Sequence, residues 1–183
     1  MNDTGQPTFW GITFRTIVIH TVTYFFIGLL AFTLFNYSAR FADPTLSSFM
    51  RQTNDPLVMA GVLFQPFRGL LFGIVFWLFR DSLFYRPYGW LKAWGMLVIV
   101  GIFSTFGPAP GSVEGIIYTK IPIEGQLGGL IEVLTQSLFL SVLTIYWVKH
   151  SHIRWLNWVL SVIFFIVLLL PLLGLFARQV DAS

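Results

Sequence analysis

The stretch "GVLFQPFRGLLFGIVFWLFRD", residues 61–81, is a long apolar run with one arginine, Arg68, near its centre. Placing an arginine in the middle of a bilayer costs between about 3 and more than 10 kcal/mol, because the guanidinium keeps its proton. The charge therefore needs carboxylates, carbonyl groups or trapped water around it. The stretch predicts a membrane-crossing helix whose cation has a partner elsewhere in the fold.

The composition of the whole chain favours a lipid environment. Of 183 residues, 56% are hydrophobic and 10% are charged, whereas soluble domains carry about 25% charged residues. A water-soluble chain of this size could not bury so much apolar surface. There is no basic run that would indicate nucleic-acid binding, and the absence of cysteine excludes disulfides and thiol chemistry.

Five apolar segments are long enough to cross a membrane, which takes about 20 residues. They lie at about 16–36, 57–79, 88–106, 127–148 and 155–177. We therefore predict a single domain, an all-α polytopic membrane protein built as a bundle of five transmembrane helices. The first segment exceeds the roughly 7–15 apolar residues of a signal peptide, so we expect it to be retained as an anchor.

Two short basic connections predict the orientation. "RDSLFYRPYGWLK" (80–92) and "KHSHIR" (149–154) would lie on the same side as the N-terminus. Short basic loops face the cytoplasm. We predict a protein of the plasma or inner membrane with a cytoplasmic N-terminus and an outer C-terminus. On the outer side, residues 37–56 favour either a short interfacial helix or a packed loop.

The second outer connection has an unusual composition. "GPAPGSVEGIIYTKIPIEGQLGG", residues 107–129, is rich in glycine and proline, yet its centre is too apolar for a linker in water. Irregular backbone is tolerated at membrane depth where protein or a wet cavity surrounds it. We predict that this segment folds back into the mouth of the bundle.

Few acidic residues are placed to neutralise Arg68. Most carboxylates lie in tails or at segment ends, whereas Glu132 lies inside the fourth segment and Glu114 in the folded-back loop. Glu132 and Gln136 are four apart and so share one helical face. We predict an ion pair between Arg68 and Glu132, with Gln136 as a hydrogen-bonding neighbour and Glu114 capping the site from outside.

Two further side chains are candidates for the same site. His20 belongs to a polar stripe on the first segment, and it either faces Arg68 or bonds a backbone carbonyl. Tyr118 follows Glu114 by four residues, a pair suited to acid–base work. Gly69 and Gly73 have the GxxxG spacing that lets a second helix approach closely.

The familiar cofactor and metal motifs are absent. There is no nucleotide-binding G-x-x-x-x-G-K-[ST] loop, no H-E-x-x-H and no G-x-S-x-G. His150 and His152 lack a nearby carboxylate and lie beside cations, which makes a poor metal site. We predict neither a metal nor a cofactor.

The leading functional hypothesis is a binding or transport-type membrane protein with a charged cavity for an anionic or lipid-like ligand. Its site would use Arg68, Glu114, Glu132 and Gln136, with Tyr118 and His20 nearby. An accessory or assembly subunit, whose partners are other membrane subunits, is one alternative. Independently of that choice, the Arg68–Glu132 pair could instead be a structural staple that only orders the bundle. An intramembrane enzyme acting on a lipid or isoprenoid through Glu114, Tyr118 or Glu132 is another.

Overall fold

A computed structural model of the chain describes residues 7–48 and 50–181, which form helices and turns without any strand. Its long helices are α1 (Phe9–Leu34), α5 (Gln65–Leu78), α7 (Gly89–Val98), α10 (Leu130–Lys149) and α11 (Arg154–Asp181), numbered along the chain. Its short helices are α2 (Tyr37–Ala42), α3 (Pro44–Ser47), α4 (Pro56–Met59), α6 (Arg80–Phe84), α8 (Val113–Tyr118) and α9 (Ile123–Leu127). A 3-10 turn at Gly61–Phe64 precedes α5, and a π-helical turn at Ile99–Phe103 extends α7.

Four of the described helical stretches are long and apolar enough to cross a membrane: Phe9–Leu34, Gly61–Leu78, Ile123–Lys149 and Arg154–Val180. The predicted third segment, 88–106, contains only the shorter apolar helix Gly89–Phe103. Its length of about 22 Å falls short of the roughly 30 Å hydrocarbon core. The all-helical prediction is confirmed, whereas the count of five spans is not.

The first long helix begins seven residues before the predicted start at residue 16. The hydroxyl of Thr8 caps it by accepting a hydrogen bond from the backbone N–H of Gly11 at 3.0 Å. Arg15 is accommodated inside the helix, because its Nη1 donates to the carbonyl of Gly11 at 2.7 Å and its guanidinium lies 5.5 Å from the ring of Trp147. The helix therefore extends past Arg15, although the sequence prediction began the segment at residue 16.

The second predicted segment, 57–79, is divided at Pro66. Because proline has no N–H to give to the carbonyl of Val62, that carbonyl accepts the N–H of Gln65 in a 3-10 turn instead. The α-helix starts at Gln65. Arg68 consequently lies in the first turn of α5, rather than in the middle of a continuous helix.

Helix α1 is the centre of the fold and packs against α5, α10 and α11. The tightest approach is on α5, where Gly69 and Gly73 are buried against the α1 backbone. A Cβ added at Gly69 would lie 2.7 Å from the Cα of Ile17, and one at Gly73 would lie 2.8 Å from the Cα of Thr13. The GxxxG spacing thus serves packing inside the chain.

Two clusters of buried apolar side chains fix the other helices. The first joins α1, α5, α6, α7 and α10 and contains Ile12, Phe76, Leu83, Phe84, Ala93, Ile145 and Val148. The second joins α1, α10 and α11 and contains Val18, Ile19, Val22, Leu140, Trp147 and Phe164. The end of α5 and the beginning of α7 therefore share one core.

Contacts at the two ends of the bundle establish the course of the chain. Near the start of α1, Thr8 and Arg15 line a small cavity together with His152 of the turn between α10 and α11. At the opposite end, Nη1 of Arg178 in α11 donates to the carbonyl of Asn54 at 2.6 Å. Helices α1, α10 and α11 therefore all run between the same two ends.

We expect the substitution Gly69→Ala to lower the free energy of unfolding by about 1–3 kcal/mol, because the new methyl group meets immovable backbone and forces α5 away from α1. Gly95→Ala is the matched control, since a Cβ there meets no atom within 4 Å and helix propensity favours alanine. Thermal unfolding in detergent measures both. Equal stability of the two variants would contradict the close-packing role of Gly69.

Candidate functional site

A cavity of about 390 Å³ lies between α5 and α7 and has both polar and apolar walls. Its back wall belongs to α1 and α10, and residues 105–110 cover one end. Its apolar lining consists of Leu71, Phe72, Leu97, Ile102, Val133 and Leu140. Its polar lining consists of His20, Arg68, Thr105, Gln136 and Ser137. A volume of this size falls in the range of small-molecule sites, about 300–1,000 Å³.

Arg68 is the charged residue of this cavity among the described residues. Its guanidinium carbon lies 5.6 Å from the centre of the Phe72 ring, a cation–π contact. Arg68 is exposed, and it makes neither a hydrogen bond nor a salt bridge to any described residue. Its five N–H donors are therefore available to a bound molecule.

His20 lies on the back wall and is 1% exposed. Its ring packs edge-on against the ring of Phe72, with the centroids 5.0 Å apart. Its Nε2 is 3.1 Å from the side-chain oxygen of Gln65. Of the two sequence-based alternatives, facing Arg68 or bonding a backbone carbonyl, the structure has His20 in the Arg68 cavity and bonded to a side chain.

Gln136, which the sequence predicted as a site residue, also lines the cavity. It is half-buried on α10 and makes no hydrogen bond to any described residue. The neighbouring hydroxyl of Ser137 donates to the carbonyl of Leu134 at 2.9 Å, so its own proton is already used. Arg68, His20 and Gln136 are thus the predicted site residues that the fold brings together.

Glu132 is not joined to Arg68, contrary to the predicted ion pair. Its carboxylate accepts a hydrogen bond from the phenol of Tyr37 and lies near Gly28 of α1, where an added Cβ would be 3.7 Å from Oε1. Although Glu132 and Gln136 are one turn apart, the carboxylate faces α1 and α2 while the amide faces the cavity. The sequence did not predict the phenol of Tyr37 as the partner of Glu132, because Tyr37 lies just beyond the predicted first segment.

Tyr37 and Arg40 connect α2 to α10 and α9. Burial, together with the hydrogen bond to Glu132, raises the pKa of Tyr37 well above its ordinary value. Nη2 of Arg40 donates to the carbonyl of Gly125 at 2.8 Å and so ties α2 to α9. Glu132 is therefore held by a phenol with a guanidinium nearby, away from the cavity.

Glu114 and Tyr118 lie on α8 and do not line the cavity. Glu114 is half-buried in the first turn of α8, whereas Tyr118 is 71% exposed at its end. No carboxylate lines the cavity wall within the described part of the chain. The cavity therefore lacks the carboxylate that the proposed acid–base chemistry would need.

Gln126 organises residues 109–126 and was missed by sequence reasoning. It is 2% exposed, and its oxygen accepts the N–H of Gly111 at 2.8 Å. Its nitrogen donates to the carbonyl of Gly115 and to the hydroxyl of Thr119, both at 2.9 Å. An amide in a glycine-rich stretch gives no periodic signal, so only the folded segment reveals this role. Through it, Ala109 and Pro110 are held at the mouth of the cavity.

We expect Tyr37→Phe to cost about 1–3 kcal/mol of stability, since a half-buried carboxylate loses its donor. Tyr118→Phe is the control and should change stability by less than about 0.5 kcal/mol, because its ring is exposed. Because the folded-state pKa of Tyr37 is raised, its stabilisation is complete below the ordinary pKa of 10.0 and is lost as the pH rises from there. Unfolding as a function of pH measures the effect, and a flat difference across alkaline pH would contradict it.

Comparison with models of protein families, with curated proteins and with solved structures finds no match. A proposal of function therefore rests on the chemistry of the cavity.

Proposed function

We propose that this chain is an integral membrane protein that binds an anionic amphiphile in the cavity between α5 and α7. The observation that supports this most directly is the guanidinium of Arg68, which has no ionic or hydrogen-bonding partner among the described residues and lies at a cavity with mainly apolar walls. Binding is the step that the geometry supports within the broader binding or transport-type class.

The lining favours a ligand with two chemically different parts. A guanidinium presents a fork of donors that matches the oxygens of a phosphate or carboxylate. Leucine, phenylalanine and valine side chains offer no hydrogen bonds and favour a hydrocarbon chain. A molecule with an acidic head and an apolar tail satisfies both parts of the lining at once.

The gap between α5 and α7 favours entry from the bilayer. The two helices share a core near Phe76 and Ala93 and diverge towards Arg68 and Gly101. Leu71 lies on the cavity wall and is exposed at the bundle surface. A lipid in the surrounding leaflet could place its head beside Arg68 while its tail stays among other lipids.

We also propose five membrane passes, with the N-terminus cytoplasmic and residues 107–129 folded back on the outer side. One apolar cluster joins the start of α1, the end of α5, the start of α7 and the end of α10. This arrangement supports helices that alternate in direction along the chain. The chain must then cross between α5 and α10, and α7 with its π-helical turn is the helix available for this. Ala109 and Pro110 at the cavity mouth support the folded-back segment.

We expect Arg68→Gln to weaken binding of an anionic amphiphile by about 10- to 100-fold, the worth of charge-assisted hydrogen bonds. Titration of detergent-solubilised protein with dioctanoyl phosphatidylglycerol and with dodecyl phosphate, against dioctanoyl phosphatidylcholine, measures this. Arg51→Gln is the control, because Arg51 is exposed and pairs with Asp55 at 3.0 Å away from the cavity. The proposal fails if neither anion binds wild type better than the zwitterion, or if both variants bind alike.

The topology is tested with single cysteines, which the natural chain lacks. In intact cells, a membrane-impermeant maleimide should label Lys120→Cys in the outer segment and leave His152→Cys unlabelled. Labelling of His152→Cys alone would reverse the proposed orientation. Labelling of both would contradict a membrane pass by α10 between positions 120 and 152.

A further inference from the structure

A buried nitrogen at the cavity wall has no hydrogen-bond partner within residues 7–48 and 50–181. It is Nδ1 of His20, on a side chain that is 1% exposed and that lines the cavity. The nearest α1 hydroxyls are already engaged, since Thr16 donates to the carbonyl of Ile12 and Thr23 to that of Ile19. A buried polar atom without a partner costs about 1–3 kcal/mol, so this nitrogen marks a place where a ligand atom or water is expected.

The hydrogen-bonding role of that nitrogen follows from Gln65. The Gln65 side-chain nitrogen donates to the carbonyl of Gly61 at 2.9 Å, so its oxygen is the atom that faces His20. An amide oxygen only accepts, and the Nε2 of His20 must therefore be the donor. In the neutral ring, Nδ1 then carries a lone pair and is an acceptor.

The cavity thus presents a hydrogen-bond donor and a hydrogen-bond acceptor near the ring of Phe72. Arg68 supplies donors and a positive charge, while His20 supplies an acceptor. Both side chains contact the ring of Phe72. A plain alkyl anion would satisfy Arg68 and leave His20 unpaired, whereas an anion with a neighbouring hydroxyl would satisfy both.

We infer that the ligand is a phospholipid with a phosphodiester head that carries a free hydroxyl, such as a glycerol head group. This inference rests on the proposed function and names the ligand class of the same site. The phosphate binds Arg68 and the hydroxyl donates to Nδ1 of His20. A diester carries one negative charge, which matches the single cation among the described lining residues, whereas a phosphate monoester carries about −1.5 to −2 at neutral pH.

The test compares dioctanoyl phosphatidylglycerol with dioctanoyl phosphatidylmethanol. The glycerol head group carries hydroxyl groups that can donate hydrogen bonds, whereas the methyl head group carries none. Both carry one negative charge on a diester. Titration of the detergent-solubilised full chain gives the ratio of their dissociation constants. We expect wild type to prefer phosphatidylglycerol roughly tenfold, the worth of one hydrogen bond to an otherwise unpaired buried acceptor.

Variants assign the preference to the imidazole. His20→Leu should reduce the ratio to about one, and Gln65→Leu should lower it by releasing the ring from its fixed tautomer. His150→Leu is the control and should keep the wild-type ratio, because His150 is bonded to the carbonyl of Tyr146 at the opposite end of α10.

The outcomes separate the two proposals. Equal affinity of wild type for both lipids overturns the hydroxyl inference and leaves an anion site at Arg68 standing. A preference that persists in His20→Leu also overturns it. Failure of both anionic lipids and of dodecyl phosphate to bind would instead overturn the proposed function. If His20→Leu does not fold, the wild-type comparison still decides, since it needs no variant.

Discussion

The close approach of α5 to α1 at Gly69 and Gly73 is the contact on which the site depends. A Cβ at Gly69 would also lie 3.4 Å from the Cβ of His20, so the glycine that lets the backbones meet also sets His20 beside α5. Gln65 then reaches His20 from one turn before, and Arg68, adjacent to Gly69, is directed to the cavity. The small residues Gly69 and Gly73 thus let α5 approach α1 closely enough to position the polar side chains of His20 and Gln65.

The distribution of charge explains why Arg68 is left open. The carboxylate best placed by sequence, Glu132, is held by Tyr37 on the other side of α10. Elsewhere in the described chain, ion pairs within 4.0 Å lie at the surface, as in Arg51–Asp55 and Arg80–Asp81. Among the described residues Arg68 has neither an acidic nor a hydrogen-bonding partner at its cavity, and this is the electrostatic basis of the proposed anion site.

Composition and segment length were enough to predict the helical class and the positions of most long helices, because apolar runs of this length have few other stable forms in lipid. Helix ends were harder to predict: Arg15 lies within α1, and α5 begins at Gln65, just before Pro66, with Arg68 in its first turn. His20, Arg68 and Gln136 were predicted and do meet at one cavity.

The partners of those residues could not be predicted, because they depend on side-chain direction. Helical spacing places Glu132 and Gln136 on one face within about 40°, and that difference is enough to turn one towards α1 and α2 and the other into the cavity. Tyr37 and Gln126 act through single hydrogen-bonding groups. Such groups leave no periodic pattern in a sequence.

The hydroxyl groups of α1 have a consequence for how the chain enters a membrane. Thr16, Thr21 and Thr23 each donate to a carbonyl one turn earlier in the same helix, so these polar groups need no second helix. His20 is different, since its partner Gln65 is synthesised 45 residues later. Until α5 is present, the imidazole of His20 therefore lacks its Gln65 partner. The packing of α5 against α1 then forms that hydrogen bond and also one wall of the cavity.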